Sequence, residues 1–112
     1  MITVRVVVDS DDCLIRCDSE GHADHGGRGN DIVCSAVTVL VRTAAETHGG
    51  RLGSGLEWES PERGIVRFRI STENRGSGDR GWERGVADFL TSGLLRISRE
   101  CPDHVVLNIQ RK

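Results

Sequence analysis

The 112-residue chain lacks long apolar runs, and it lacks a surplus of charge of either sign. No apolar stretch approaches the roughly 20 residues that a membrane-spanning helix needs, so we expect no membrane segment. Fifteen Lys and Arg residues against 17 Asp and Glu give a net charge of −2. This balance favours neither bulk nucleic-acid binding nor attraction to an acidic membrane. The opening residues, MITVRVVVDSDD, lack a basic segment followed by an apolar core, so we expect no signal peptide.

Internal repeats and low-complexity segments are also missing. A chain of this length can fold around one hydrophobic core without disulfide bonds, and we expect a single domain over residues 1–112. Its four cysteines would stay reduced in the cytosol. We therefore expect a cytoplasmic protein with reduced thiols.

Hydrophobic periodicity predicts strands and helices in alternation. Strands are expected over Ile2–Asp9, Cys13–Asp18, Leu52–Glu59 and Gly64–Ser71, with a last strand around Val105, Leu107 and Ile109. A helix is expected over residues 31–48, with Gly49-Gly50 as its C-terminal cap. A second helical stripe consists of Trp82, Val86, Phe89, Leu90, Leu94 and Ile97. The polar segment Thr72–Gly81 is expected to be a mobile loop.

The predicted order is ββαββαβ, and the predicted fold class is α/β, in the two-layer α+β form. The simplest way to bury the apolar faces of these elements is to pack the two helices on one face of a mixed five-stranded sheet. We expect Trp58, Trp82 and Phe89 in the core, unless one of them lines an apolar substrate pocket.

The segment 21–38, GHADHGGRGNDIVCSAVT, has the pattern of a nucleophile site. His22 follows a predicted strand, and Cys34 is expected in the first turn of the first helix. Unpaired backbone N–H groups and the helix dipole at that position favour the nucleophilic thiolate. A histidine close enough to take the thiol proton would complete a Cys/His pair.

Neighbouring residues have structural interpretations as well as functional ones. Asp31 is expected as a helix N-cap or first-turn carboxylate, with a second role in orienting His22 left open. Cys13, Cys17 and Cys101 are interpreted as structural thiols.

The run Gly21-His22-Ala23, then Gly29, Asp31-Ile32-Val33-Cys34 and Ala36-Val37-Thr38, resembles the ribosomal-processing cysteine protease family Prp. The twelve-residue spacing from His22 to Cys34 matches that family without a gap. Many relatives have Ser where this chain has Thr38, which keeps a hydroxyl one helical turn beyond Cys34. The intervening loop carries an additional histidine, His25.

The resemblance implies a small α/β cysteine endopeptidase without a cofactor or catalytic metal. Such enzymes remove a short N-terminal extension from a large-subunit ribosomal protein near the peptidyl-transferase centre, cut beside aromatic residues and form homodimers. His22 and Cys34 would be catalytic, with Asp31 and Thr38 supporting them. The substrate loop would include Gly21, Ala23, Gly27, Gly29 and Asn30.

Two other functions remain open from the residues. One is a zinc-binding module with Cys17, His22, His25 and Cys34 as ligands, although their spacing does not resemble a C-x₂-C knuckle. The other is a non-catalytic ribosome-associated factor in which the motif only marks the fold.

Overall fold

A computed structural model describes residues 1–21, 28–52, 55–62, 64–71 and 80–112, with the backbone alone for residues 28–31. Within these ranges the order of elements is ββαββαβ, as predicted. The elements are β1 (Ile2–Val8), β2 (Leu14–Glu20), α1 (Arg28–Leu52), β3 (Leu56–Glu59), β4 (Ile65–Ile70), α2 (Gly81–Glu100) and β5 (Val105–Arg111).

The strands form one mixed sheet in the order β3-β4-β2-β1-β5. β1 and β5 are parallel, and the other neighbouring pairs are antiparallel. Val6 lies opposite Cys17 of β2 and Ile109 of β5, while Cys17 lies opposite Phe68 of β4. Because facing residues in a sheet point to the same side, this register defines one continuous apolar face.

Both helices cover that apolar face. β1 contributes alternate residues, as its sequence pattern predicts, and α1 and α2 contribute one stripe each. The buried set includes Ile2, Val4, Val6, Val8, Cys17, Val37, Val41, Phe68, Ile70, Leu90, Leu94 and Val105. The predicted two-layer architecture is therefore confirmed.

The first helix is longer than expected at both ends. It begins at Arg28 instead of Asp31, and it continues through Gly49-Gly50 to Leu52. Leu52 packs against the core, and this burial offsets the roughly 1 kcal/mol that a glycine costs inside a helix. Gly49 lies close to β3, since a Cβ there would be 3.0 Å from Leu56 Cδ2. The glycine pair therefore permits close packing and does not end the helix, and the third strand begins at Leu56 instead of Leu52.

Two of the three large aromatic residues assigned to the core are not buried. Phe89 is 73% exposed and Trp58 is 41% exposed, whereas Trp82 is partly buried. Phe89 belongs to the apolar stripe of α2 but points away from the sheet, a distinction that helical periodicity alone does not make. Trp58 lies on the edge strand β3, where the Arg42 guanidinium stacks 5.7 Å from its ring centre.

A cluster of ion pairs joins the β1–β2 turn to the start of α2. Arg80 donates to Asp9 Oδ2 at 2.8 Å, to Asp11 Oδ2 at 3.2 Å and to Glu83 Oε2 at 2.9 Å. Burial alone would raise the pKa of Asp9, but hydrogen bonds from Arg80 and from the backbone N–H groups of Cys13 and Asp11 lower it below its ordinary value. We call these four residues, Arg80, Asp9, Asp11 and Glu83, the Arg80 clamp.

The segment expected to be mobile, Thr72–Gly81, lies outside the described residues except for Arg80 and Gly81. Neither helix of the described part of the chain is long and apolar enough to cross a membrane.

Candidate active site

Cys34 is the seventh residue of α1, in the second turn of the helix. Its side chain is partly buried and packs against the hydrophobic core from the N-terminal half of the helix. The expectation of a first-turn thiol is therefore wrong, because α1 begins three residues earlier than its sequence pattern indicates.

This shift changes the local electrostatics of the thiol. The four unpaired N–H groups of a helix belong to its first turn, which here is residues 28–31. The dipole effect falls off within that same turn, so Cys34 receives less stabilisation from the helix N-terminus than the sequence indicates. A cationic neighbour is correspondingly more important for forming a thiolate at this position.

Thr38 is exposed and lies one turn beyond Cys34 on the same side of α1. Asp31 is the fourth helical residue, so it is a first-turn residue and not the N-cap. Its side chain is outside the described set, and its role beside His22 stays a prediction. Arg42 lies one further turn along the row of Cys34 and Thr38, and its guanidinium lies over the ring of Trp58 on β3. This contact between α1 and the edge strand could not be predicted, because an exposed helical arginine carries no sequence signal.

Gly21 holds the chain immediately before His22 in a conformation that other residues rarely adopt. Its φ is +129°, and a Cβ at this position would collide with the backbone carbonyl oxygen of Met1. Its N–H donates to the Gly64 carbonyl at 3.0 Å, which ties the end of β2 to the β3–β4 turn. A side chain at position 21 is therefore excluded by both strain and space.

The remaining loop predictions divide into two groups. His22, Ala23, His25 and Gly27 lie outside the described residues, so the structure does not place His22 relative to Cys34. Gly29 and Asn30 were expected in the substrate loop, but they belong to the first turn of α1. Their low helix propensity suggested a loop, yet packing of the amphipathic helix behind them outweighs it.

The other three cysteines have structural surroundings. Cys13 and Cys17 are fully buried, and Cys101 ends α2, with its N–H donating to the Ile97 carbonyl at 2.8 Å. Burial, and then the nearby Asp18 carboxylate, raise the pKa of the Cys17 thiol to about 12. None of the four cysteines forms a disulfide bond in the structure.

The zinc alternative gains no support from the described residues. Among them, no three His, Cys, Asp or Glu side chains are grouped so that they could hold a metal ion. Cys17 would also have to lose its proton to bind zinc, which its raised pKa opposes. The two histidines of the proposed ligand set lie outside the described residues, so the alternative remains untested at those positions.

The fold defines the class as a small two-layer α/β domain, with a partly buried thiol on its first helix. More specifically, the chain belongs to the cysteine protease Prp family, whose model matches residues 1–106, and it is a cysteine protease of that family. No curated protein matches the chain by sequence.

Solved structures agree with this assignment at the level of the fold. SMU.848 from Streptococcus mutans is 19% identical with a TM-score of 0.78, covering 100% of this chain and 96% of that one. The ribosomal processing protease Prp from S. aureus, in complex with a substrate peptide, is 23% identical with a TM-score of 0.76, covering 98% and 100%. A second structure of that protease contains a covalently linked product peptide, with 23% identity, a TM-score of 0.70 and the same coverage.

Proposed function

We propose that this protein is an endopeptidase that removes a short N-terminal extension from a large-subunit ribosomal protein. The observation that carries the proposal is the family match over residues 1–106, combined with the position of Cys34 in the half of α1 that follows the anchored Gly21. The S. aureus relative, described as a ribosomal processing protease, supports the substrate class.

The proposed reaction uses Cys34 as nucleophile and His22 as general base and acid. His22 removes the thiol proton, and the resulting thiolate attacks the scissile carbonyl to form an acyl-enzyme. The protonated His22 then donates a proton to the leaving amine, and water hydrolyses the thioester. The covalently linked product peptide in the S. aureus relative supports a covalent intermediate of this kind.

Residues near Cys34 are proposed to have supporting roles. N–H groups in the first turn of α1 are the proposed donors to the oxyanion, one helical turn before the thiol. Thr38 is proposed to support Cys34 from the next turn, and Asp31 to orient His22. The loop that begins at Gly21 and includes Ala23 and Gly27 is proposed to contact the peptide.

Several broader features belong to the same proposal. The chain would act as a single Prp-like domain over residues 1–112, as a cytoplasmic homodimer, without a cofactor and without direct nucleic-acid contacts. The family resemblance supports the dimer, and the net charge of −2 is consistent with a peptide substrate.

The test is cleavage of a peptide that spans the start of the host's own large-subunit ribosomal protein. Wild-type protein should cut it at one site, and Cys34→Ala should abolish the cleavage while leaving the thermal unfolding temperature nearly unchanged. Cys101→Ala is the matched control, since Cys101 is also a partly buried thiol but lies at the far end of α2. Cleavage by the Cys34→Ala protein would contradict the mechanism, and an inactive wild type would favour the non-catalytic factor.

A further inference from the structure

The strand β3 is an edge of the sheet, and no strand of the described residues pairs with its outer side. The Ser71 N–H donates to the Gly55 carbonyl at 2.7 Å, so these residues form a hydrogen-bonded pair that continues the antiparallel ladder of β3 and β4. Such pairs alternate with pairs that exchange no hydrogen bonds. Glu57 therefore bonds to β4, while Leu56 and Trp58 direct their N–H and C=O groups outward. This edge offers donors and acceptors to an extended peptide.

A cation lies over this edge. Arg42 of α1 is exposed, and its guanidinium lies 5.7 Å from the ring centre of Trp58, which is 41% exposed. Within the described residues Arg42 forms no ion pair. Stacking on the ring orients the guanidinium through its flat face and leaves the N–H groups at its rim available, which suits them to a carboxylate. We call Arg42 and the outer edge of β3 together the β3 rim.

The acidic residues near Arg42 do not neutralise it. Side chains alternate along a strand, so Glu57 and Glu59 lie on the opposite face of the sheet from the helices. Glu59 pairs there with Arg67 at 3.4 Å. Glu46 lies one helical turn from Arg42 but forms no ion pair with it. The cation of the β3 rim is therefore open to a negative charge from a ligand.

The β3 rim leads towards Cys34. α1 and β3 run in opposite directions, since Gly49 lies against Leu56 and Arg42 lies over Trp58. Cys34 lies further towards the N-terminus of α1, on the same row of the helix as Arg42 and about 12 Å from it along the axis. An extended peptide covers this distance with about four residues.

We propose that the β3 rim binds the substrate peptide as an added strand, and that Arg42 selects an acidic side chain about four residues from the scissile bond. The inference rests on the proposed function, because it takes Cys34 as the nucleophile, and it adds a specificity-determining residue. In strand addition, main-chain hydrogen bonds supply affinity and contacts with alternate side chains supply specificity. Leu56 and Trp58 would supply the first, and Arg42 the second.

The experiment compares kcat/KM for paired peptides based on the start of the host's large-subunit ribosomal protein. Each pair carries Glu or Gln at one position, roughly three to five residues from the scissile bond on either side. Wild-type protein should prefer Glu at one position by about fivefold, mainly through a lower KM. Arg42→Ala should abolish this preference, and Arg42→Glu should transfer it to a Lys peptide. A merely structural role for Arg42 would not produce this reversal.

Arg51→Ala is the matched control. The Arg51 guanidinium also lies over a tryptophan ring, 4.8 Å from the centre of Trp82, but it belongs to the last turn of α1. Both substitutions place a good helix former on the same helix, so both proteins should fold. Arg51→Ala should keep the preference for Glu. A wild type without any preference, a preference that survives Arg42→Ala, or its loss in Arg51→Ala would each overturn the proposal.

Binding to the Cys34→Ala protein separates this proposal from the proposed function. Labelled peptides are titrated by fluorescence anisotropy, including peptides with one N-methylated amide. N-methyl groups that face β3 should weaken binding and those at the residues between should not, because only alternate amides face the neighbouring strand. Uniform tolerance would contradict strand addition. Peptides that bind with the Glu preference but are not cleaved by wild type would contradict only the proposed function, and cleavage without the preference would contradict only the role of the β3 rim.

Discussion

Cys34 and Cys17 are the same kind of side chain in two very different regions of the molecule. Cys17 is fully buried in β2, at the centre of the sheet, and its pKa is raised to about 12. Cys34 is partly buried in α1, beside an exposed Thr38 and in the half of the helix that follows the β2–α1 loop. The contrast teaches that burial and neighbouring charge determine whether a thiol can react, while residue type alone does not.

The two regions are also expected to have different roles, one in stability and the other in catalysis. The scaffold consists of the central strands, whose apolar side chains are buried, and the Arg80 clamp, whose charged side chains are paired with one another. The reacting region consists of the loop after Gly21 and the N-terminal half of α1, and a functional substitution there should cost little stability. Substitutions in the scaffold should instead lower stability and leave the chemistry intact.

The largest expected contrast is in alkylation rate. Because burial raises the pKa of the Cys17 thiol to about 12, this thiol is almost entirely protonated at pH 8, and it is also shielded from reagent. Cys34 should therefore react with iodoacetamide at least about 100-fold faster than Cys17, and His22→Ala should slow Cys34 alone. A timed pulse followed by peptide mapping measures both rates. Equal labelling of the two cysteines would contradict the division into regions.

The next contrast concerns the Arg80 clamp. Arg80→Ala should destabilise the protein by about 2 to 3 kcal/mol, because it leaves the Glu83 carboxylate, only 3% exposed, without this guanidinium. Chemical denaturation measures the loss, and the cleavage rate of the folded protein at 25 °C should not change. Arg96→Ala is the control, since its pair with Glu100 is exposed and worth less than about 0.5 kcal/mol.

The clamp also predicts a dependence on pH. Because the pKa of Asp9 is lowered in the folded state, its contribution is complete above the ordinary aspartate pKa and is lost as the pH falls through the lowered value. Wild-type stability should therefore fall on acidification below about pH 4, and Arg80→Ala should flatten this decline. If both proteins lost the same amount of stability on acidification, Arg80 would not be holding Asp9 ionised.

A smaller contrast comes from serine substitutions. Cys17→Ser places a hydroxyl in a fully buried site and should cost about 2 kcal/mol of stability without affecting the cleavage rate. Cys34→Ser should cost less than about 1 kcal/mol while reducing cleavage to background. Thermal unfolding and peptide cleavage, measured on the same two samples, distinguish these outcomes. A stable, inactive Cys17→Ser protein would reverse the roles of the two thiols.

The smallest expected effect is that of metal removal. EDTA should leave both cleavage and stability unchanged, and the purified protein should contain less than stoichiometric zinc, because the ligand spacing is poor for zinc. Metal analysis together with an activity assay checks this. One zinc per chain, lost together with the fold on chelation, would instead support the metal-binding module.

The strands and the two-layer architecture could be predicted because each depends on the pattern of apolar residues within a short segment. Alternation in β1 already separates the buried Val4 and Val6 from the exposed Thr3 and Arg5. Helix ends could not be predicted in the same way. Gly29 and Gly49 weaken a helix locally, but Leu52 and the core residues of α1 stabilise it through contacts with distant strands. The first-turn position expected for Cys34 was wrong for the same reason.

The site was predictable only in part. Spacing and resemblance selected His22 and Cys34, and Cys34 is indeed the thiol that is neither fully buried nor at the end of α2. The pairing of these two residues stays a prediction, because His22 lies outside the described residues. The exposed position of Phe89 was missed because an apolar helical stripe does not show which of its residues face the sheet.

The measurement that tests the central claim most directly is the loss of cleavage per alkyl group bound. Protein is treated with increasing iodoacetamide, and each sample is assayed for peptide cleavage and mapped for labelled cysteines. Activity should fall in proportion to label on Cys34 and reach zero at one group per chain, and substrate peptide should slow both changes equally. Protein that is fully labelled on Cys34 and still cleaves the peptide would contradict the assignment of Cys34 as the nucleophile.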